Sequence, residues 1–554
     1  MSILGKKWLI KNNDKQKSIL EKILENRDFR NLNELRDFYD PFLFNDMERA
    51  VSRIDRAIKS REHITIFGDY DVDGISGTAI LVHILRKLNA NVDYMLPNRV
   101  TDGYGLSEKF INEFIEKKVG LIITVDCGIS CSKEIAKAKE NNIDTIITDH
   151  HTIPETFPDK AFAILHPKIP NSTYPFSELT GAGVALKLAH ALIKKYLPEP
   201  EQNDYLNSLL DLAALGTIAD LGPLRDENRL IVSKGLDSLA NTKWSGLKRI
   251  KELANIKEGD IIDTVKIGFQ IAPRINAAGR IGNALTALSL LLNENDEEIT
   301  LLSNELETLN HQRQDMTEQA LKEAEKCVLV DTDMPYILIA HSPDWHVGIL
   351  GLIAGKLAEK YARPAIAMRD CGDVLVASAR SPEYFNIVEA LTKHKKYLVN
   401  FGGHAQAAGF NINKNQLAEF TNEISLYAKE RLEKLDLKTV IEIDCELNEN
   451  EIDFELLDQI EKLQPFGVDN KKPIFVMQNV EPHFVDKVGH DGSHLKFTAR
   501  FNTRSFPVIA FRMGQFTERL RKHPKIDLVF QLDRHNWNNK ESIQFQALDF
   551  RINE

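Results

Sequence analysis

Short apolar, β-branched runs recur along the first half of the chain, near residues 64, 92, 121, 144 and 162, and alternate with helix-like stretches. That alternation predicts a parallel, doubly wound sheet across about 41–290. Three of the runs close on acid or imidazole. His63–Phe67 leads into Asp69, Asp71 and Asp73-Gly74; Leu121–Val125 leads into Asp126; Asp144–Thr148 closes on Asp149-His150-His151. Open α/β sheets place ligand sites at the carboxyl ends of their strands, so neighbouring parallel strands bring these groups to one spot. Ile75–Leu88, apolar nearly all round, reads as a helix buried against the sheet. Asp220, closing the apolar helix-like run that includes Gly216–Ala219, is a fourth contribution.

The rest of the chain divides by the same signals. Residues 1–40 are polar with scattered apolar positions and predict a peripheral helical segment. Asn295–Lys326 contains neither Gly nor Pro and reads as a long, mostly solvated helix, placing a connector at 291–332. A second α/β unit is expected over 333–437, with strands at Ile337–Ala340 and Val374–Ala379 and a glycine loop at Gly402-Gly403-His404. From 438 to 554, apolar runs at 439–445, 474–480, 495–501, 506–511, 527–533 and 543–550 predict a small β-barrel.

Clustered carboxylates repel unless a cation neutralises them. Carboxylates with one or two histidines suit Mn²⁺ or Mg²⁺, and this many acids implies two ions. The alternative for Asp69, Asp71 and Asp73 alone is a solvated Asp-rich turn. The five cysteines form no CxxC pair, which argues against zinc and disulfide frameworks and for a reducing cytoplasm. No stretch reaches a membrane span, and the start lacks a signal-peptide pattern. A net charge of −11 weighs against nucleic acid. Locally the balance reverses: Arg500, Arg504, Arg512, Arg519 and Arg521 interleave with Phe501, Phe506, Phe511 and Phe516. Those phenylalanines serve equally well as core.

Taken together, DYDVDG at 69–74, VDCG at 125–128, DHH at 149–151, IAD at 218–220 and GGHAQAAG at 402–409 resemble the DHH phosphoesterase superfamily, specifically its bacterial single-strand-specific 5′→3′ DNA exonucleases. The likeness covers about residues 40–554. It implies an α/β fold: a parallel-sheet DHH domain, a long helix, a second α/β domain (the DHH-associated domain) and a C-terminal OB-type barrel. It implies a two-metal hydrolase with Asp71, Asp73, Asp126, His150 and Asp220 as ligands and Asp126 as the bridge. Asp69 would be a further ligand or an outer group. His151 and Asp149 would be catalytic, with His151 stabilising charge or protonating the leaving oxygen.

Arg99, Tyr104, Arg280, His346, Ser378, Arg380, Gly402, Gly403 and His404 are the expected contacts to nucleic acid and its 5′-phosphate, and the five C-terminal arginines would line an OB groove. The implied partners are single-stranded DNA, a helicase and a single-strand-binding protein. Related pyrophosphatases carry a histidine where this chain has Phe67, a departure expected to weaken one metal site. Two rival readings are a DHH enzyme acting on oligoribonucleotides or cyclic dinucleotides and a metal-dead replication scaffold.

Overall fold

A computed structural model describes residues 2–27, 37–329, 334–501, 503–537 and 540–552. The chain forms two compact units, Met1–Glu34 with Asp436–Glu554, and Leu35–Leu435. The first strand, β1 (Lys7–Ile10), belongs to the smaller unit.

The larger unit is built first on β2 (Ile64–Gly68), β3 (Val92–Met95), β4 (Leu121–Val125), β5 (Asp144–Thr148) and β6 (Ala163–Leu165). All five are parallel, in the order β3-β2-β4-β5-β6. Alternate residues serve opposite faces, as a strand's two-residue period requires. Ile64, Ile66, Leu121, Ile123 and Val125 join the core beneath the helices Val72–Lys87 and Gly181–Tyr196. Phe67, Ile122 and Ile147 join a second core with Phe110, Phe114 and Ile135. The Phe67 side chain therefore packs 5.0 Å from the Phe110 ring, within the core. Phe67 is wholly buried among apolar side chains and offers no donor atom.

The helix Asp296–Val328 spans 33 residues and is capped by Asn295, whose side chain accepts from Glu297 and Glu298 N–H. It is less solvated than expected, because Ile299, Ser303, Leu306, Asn310, Thr317, Ala320, Ala324 and Val328 make a buried stripe along it. Beyond it, β7 (Leu338–Ser342), β8 (Ala365–Asp370), β9 (Val374–Arg380), β10 (Leu398–His404) and β11 (Ala407–Asn413) form a sheet ordered β10-β11-β9-β8-β7. Here a loop expectation gives way. Gly402, Gly403 and His404 lie inside the edge strand β10, paired with Gly409, Ala408 and Ala407. Gly403 has φ +145°, and a Cβ there would stand 2.3 Å from the Ala407 carbonyl oxygen. The glycine thus permits a close hairpin, in place of the expected open loop.

The smaller unit contains β12 (Val440–Ile443), β13 (Cys445–Glu446), β14 (Phe475–Val488), β15 (His494–Arg500), β16 (Ser505–Ala510), β17 (Ile526–Trp537) and β18 (Lys540–Ile552). The sheet β13-β14-β15-β16-β18-β17 closes on itself through β14–β17, making the expected barrel. The N-terminal segment is the main departure. A helix does form at Ile19–Asn26, yet β1 pairs in parallel with β12 and Ile23 lies in the barrel's core. Arg27 bonds Asp444 at 2.7 Å, and Trp8 Nε1 donates to the buried Asp549 at 2.8 Å. Residues 2–27 are thus part of the barrel unit and no peripheral appendage, whereas 37–40 go with the larger unit; residues 28–36 lie outside those described.

Candidate metal and phosphate site

The carboxyl ends of β2, β4 and β5 do converge. Asp69 N–H donates to the Val125 carbonyl at 3.2 Å and Asp126 N–H to that of Thr148 at 2.9 Å, so the acids follow the strands in register. Asp71 caps the helix Val72–Lys87, accepting from Asp73 and Gly74 N–H. Asp73 is buried and receives the Gly181 and Ala182 N–H groups at 2.6 and 2.9 Å, at the positive end of the next helix. Asp126 is buried with φ +60°, in the left-handed region. Asp220 is the C-cap of the helix Leu210–Ala219 and comes within 3.7 Å of His150 Nε2.

Three groups of donors, each within 4.8 Å, are formed: Asp69, Asp71 and Asp126; Asp73, His150 and Asp220; and Asp126, His150 and His151. Asp69 Oδ1, Asp126 Oδ1 and His150 Nε2 are buried and have no hydrogen-bond partner, although the last two lie 3.1 Å apart. Orphaned buried polar atoms are costly, and several together mark an absent ligand. Burial, reinforced by neighbouring carboxylates, holds Asp69 and Asp126 well above the usual carboxylate range. The same causes raise Asp73 to about 7 and Asp220 to about 8. Burial, and then His151, lowers His150 to about 3, leaving it neutral and ready to donate a lone pair. This donor set fits divalent cations of the Mn²⁺ and Mg²⁺ class, with Asp126 shared between groups.

Asp149 stands apart from these groups. Its Oδ1 accepts from the backbone N–H of His150 and His151 and lies 2.8 Å from His151 Nδ1, and its Oδ2 accepts from Ile129 N–H. Burial works against its charge, but these bonds hold it at about 2. Burial likewise opposes the His151 imidazolium, yet the Asp149 partnership raises His151 to about 9. Tyr104, expected on nucleic acid, donates from its hydroxyl to the Asp126 carbonyl at 3.0 Å and lies 3.2 Å from His151 Nδ1.

Beside the carboxylates stand arginines. The Arg99 guanidinium lies 3.9 Å above the Tyr70 ring and donates to the Gly279 carbonyl at 3.3 Å. Arg280 is half-buried with its Nη1 toward the Gly348 carbonyl, two residues past His346, whose own Nδ1 accepts from Gly348 N–H. Arg380 donates to Ser378 Oγ at 3.2 Å. Burial lowers both Arg280 (to about 10) and Arg380, and the charge of Arg99 lowers both further. Among the described residues, none of the three has a carboxylate ion pair. Register carries the glycine strand to the same place: His404 pairs with Ala407 and Ala407 with Arg380, while Gly402 pairs with Gly409 and Gly409 with Ser378. A Cβ at Gly351 would stand 2.9 Å from the Arg380 guanidinium, so this glycine leaves room for it.

The C-terminal arginines differ. Arg504 donates to the Glu449 carbonyl, and Arg521 bonds Asp486, Glu518 and the Val485 carbonyl. Arg500, Arg512 and Arg519 are exposed. Of the interleaved phenylalanines, Phe506 is buried, Phe501 and Phe516 pack on the core, and Phe511 alone is exposed.

A parallel sheet with convergent acids and imidazoles, joined by a long helix to a second α/β sheet, defines the class as a DHH-type phosphoesterase. Residues 63–217 match the DHH family, N-terminal domain; 333–430 match the DHHA1 domain; 443–549 match the RecJ OB domain. The chain belongs to the RecJ family. It is 39% identical over 523 residues to the single-stranded-DNA-specific exonuclease RecJ of Bacillus subtilis, covering 94% of this chain and 65% of that protein. To the protein of the same name from Haemophilus influenzae it is 32% identical, covering 91% and 92%. The crystal structure of Thermus thermophilus RecJ in complex with Mn²⁺ matches with a TM-score of 0.84 at 29% identity, over 99% of this chain and 80% of that one. Its Mg²⁺ complex matches with a TM-score of 0.77 at 28% identity, over 99% and 79%.

Proposed function

We propose that the chain hydrolyses single-stranded DNA from the 5′ end, releasing 5′-mononucleotides, with two Mn²⁺ or Mg²⁺ ions bound. The observation that carries this is the pairing of orphaned buried donors at Asp69, Asp126 and His150 with three arginines, Arg99, Arg280 and Arg380, that have no carboxylate ion pair among the described residues. Asp71, Asp73, Asp126, His150 and Asp220 would hold the ions, with Asp126 common to two of the donor groups and Asp69 in one of them. Ions bound there supply an activated water and offset charge on the attacking and leaving oxygens. His151 keeps Nδ1 on Asp149, so the proton it gives to the leaving 3′-oxygen is the one on Nε2. Arg99, Arg280, Ser378 and Arg380 grip the 5′-phosphate, the guanidinium forks matching its oxygens. His346, Gly402, Gly403 and His404 border that grip, and the barrel arginines track the strand's backbone.

In the cytoplasm, a helicase and a single-strand-binding protein would supply its strands. Among the described residues, no helix is long and apolar enough to cross a membrane. The barrel matched at 443–549 favours this reading over an oligoribonuclease or cyclic-dinucleotide phosphodiesterase, and the complete donor set favours it over a metal-dead scaffold. The test is digestion of strands labelled at either end, with and without Mn²⁺. A 5′ label should appear at once as mononucleotide, and only with metal. Earlier release of a 3′ label would overturn the polarity, and metal-independent release the chemistry.

A further inference from the structure

His166, which no expectation singled out, follows the short edge strand β6. The geometry points to His166 as a positioning residue that ties down the backbone of His151 and so fixes the direction in which that imidazole acts. The inference rests on the proposed role of His151 in hydrolysis.

Strand pairing between β5 and β6 runs out at Thr148 and Leu165, with one last bond from Asp149 N–H to the Leu165 carbonyl at 3.2 Å. Beyond that point no ladder holds the DHH triplet, and side chains take over. Asp149 receives the two following N–H groups. The other end of the His151 peptide is met by His166: its Nε2 lies 2.8 Å from the His151 carbonyl oxygen.

The tautomer is fixed by what surrounds the ring. Lys168 N–H can only donate, and it points at His166 Nδ1 from 3.0 Å, so Nδ1 carries no proton. The proton is therefore on Nε2, directed at the carbonyl. His166 is fully buried and both its nitrogens are consumed, which is why it joins none of the donor groups. Both of its hydrogen bonds are with backbone. The consequence is that His151 is fastened at three points: N–H and Nδ1 by Asp149, and C=O by His166. Removing the last leaves a carbonyl with one anchor fewer and a peptide free to rotate, which swings Nε2 off the leaving oxygen while leaving His150 and the acids in place.

The test uses the full chain loaded with Mn²⁺ and three variants. His166→Phe keeps the ring without its nitrogens; His166→Gln keeps a donor at the reach of Nε2; His166→Met matches glutamine in length without the amide. In His166→Phe and His166→Met, kcat on a 5′-phosphorylated strand should fall about ten- to hundredfold, the range typical of outer partners of a site. KM and the Mn²⁺ titration midpoint should stay within about twofold, since neither strand binding nor the ligands is touched. His166→Gln should return kcat to within about threefold of wild type. If the phenylalanine variant fails to fold, the glutamine–methionine pair decides alone. Equal activity of those two, or a kcat loss matched by weaker Mn²⁺ binding, would overturn the inference. A wild-type protein that releases no mononucleotide would instead sink the functional reading beneath it.

Discussion

At the carboxyl ends of β2, β4 and β5, Asp69, Asp126 and His150 each carry a buried polar atom with no hydrogen-bond partner. In the C-terminal barrel, Arg521 is half exposed and already shared among Asp486, Glu518 and a backbone carbonyl. Both regions looked functional by composition, one acidic and one basic. They differ in what an absent ligand would change. A buried group left unpaired costs about 1–3 kcal/mol, more if charged, and such a cluster persists because something else answers it. An exposed ion pair is worth about 0–1 kcal/mol and is compatible with no ligand at all. Burial without a partner is thus the more telling sign where such groups lie together, as Asp69, Asp126 and His150 do.

The largest effect that would separate the regions is at Asp126. Asp126→Ala should lower cleavage by a hundredfold or more, on the order expected for loss of a carboxylate serving two ions, while single-strand binding is retained. Turnover near wild type at saturating Mn²⁺ would remove the donors' special status.

Next is Arg380, half-buried, with its charge opposed by that of Arg99 and with no carboxylate ion pair among the described residues. Arg380→Ala should reduce kcat/KM on 5′-phosphorylated strands about ten- to hundredfold, the equivalent of a charge-assisted contact of about 1.5–3 kcal/mol. Strands with a 5′-hydroxyl should lose much less, so that the two substrates converge. Equal loss on both would move Arg380 to the general backbone track and leave Arg99 as the end-reading group.

Stability against pH sharpens the contrast further. Asp73 and Asp220 are raised to about 7 and about 8, so between pH 4 and 8 the folded protein binds protons that the unfolded chain has released. Stability must then fall as pH rises through that window. His151, raised to about 9, adds to the fall above its unfolded value near 6.5. His150 opposes it only below that value, being lowered to about 3. The metal-free protein should therefore melt at a lower temperature at pH 8 than at pH 6.5, and Mn²⁺ should flatten the difference. A metal-free melting temperature that rises over this interval would contradict the buried, repelling cluster.

The smallest effects belong to the barrel. Arg519→Ala and Arg512→Ala, at exposed positions with no carboxylate partner among the described residues, should each make the log–log salt slope of binding shallower by about 0.7 if they contact phosphate. Arg521→Ala should change it less, because that guanidinium is already engaged. A larger change from Arg521 would reverse the ranking.

The first parallel sheet was legible because its signal is local: each five-residue apolar run ends at its own acid, and parallel pairing aligns the ends. Asp220 could be read for the same reason, as the cap of an apolar helix. What stayed hidden depends on pairing between distant residues. Nothing in Lys7–Ile10 announces a partner at Val440–Ile443, although the edge pairing gives the strand its place. The glycines of Gly402-Gly403-His404 suggested a loop, and only the register with Gly409 and Ala408 shows a strand. His166 carried no pattern at all; its one signal was its position next to the end of the three-residue run Ala163–Leu165. Tyr104 was expected on nucleic acid, and its hydroxyl bond to the Asp126 carbonyl was not legible in the sequence.

The most direct measurement is calorimetric titration of Mn²⁺ into the metal-free protein and into Asp126→Ala. The account predicts two ions per chain for the wild type and, with the shared carboxylate gone, at most one, weakly held. No binding to the wild type, or two ions bound equally well by Asp126→Ala, would contradict it.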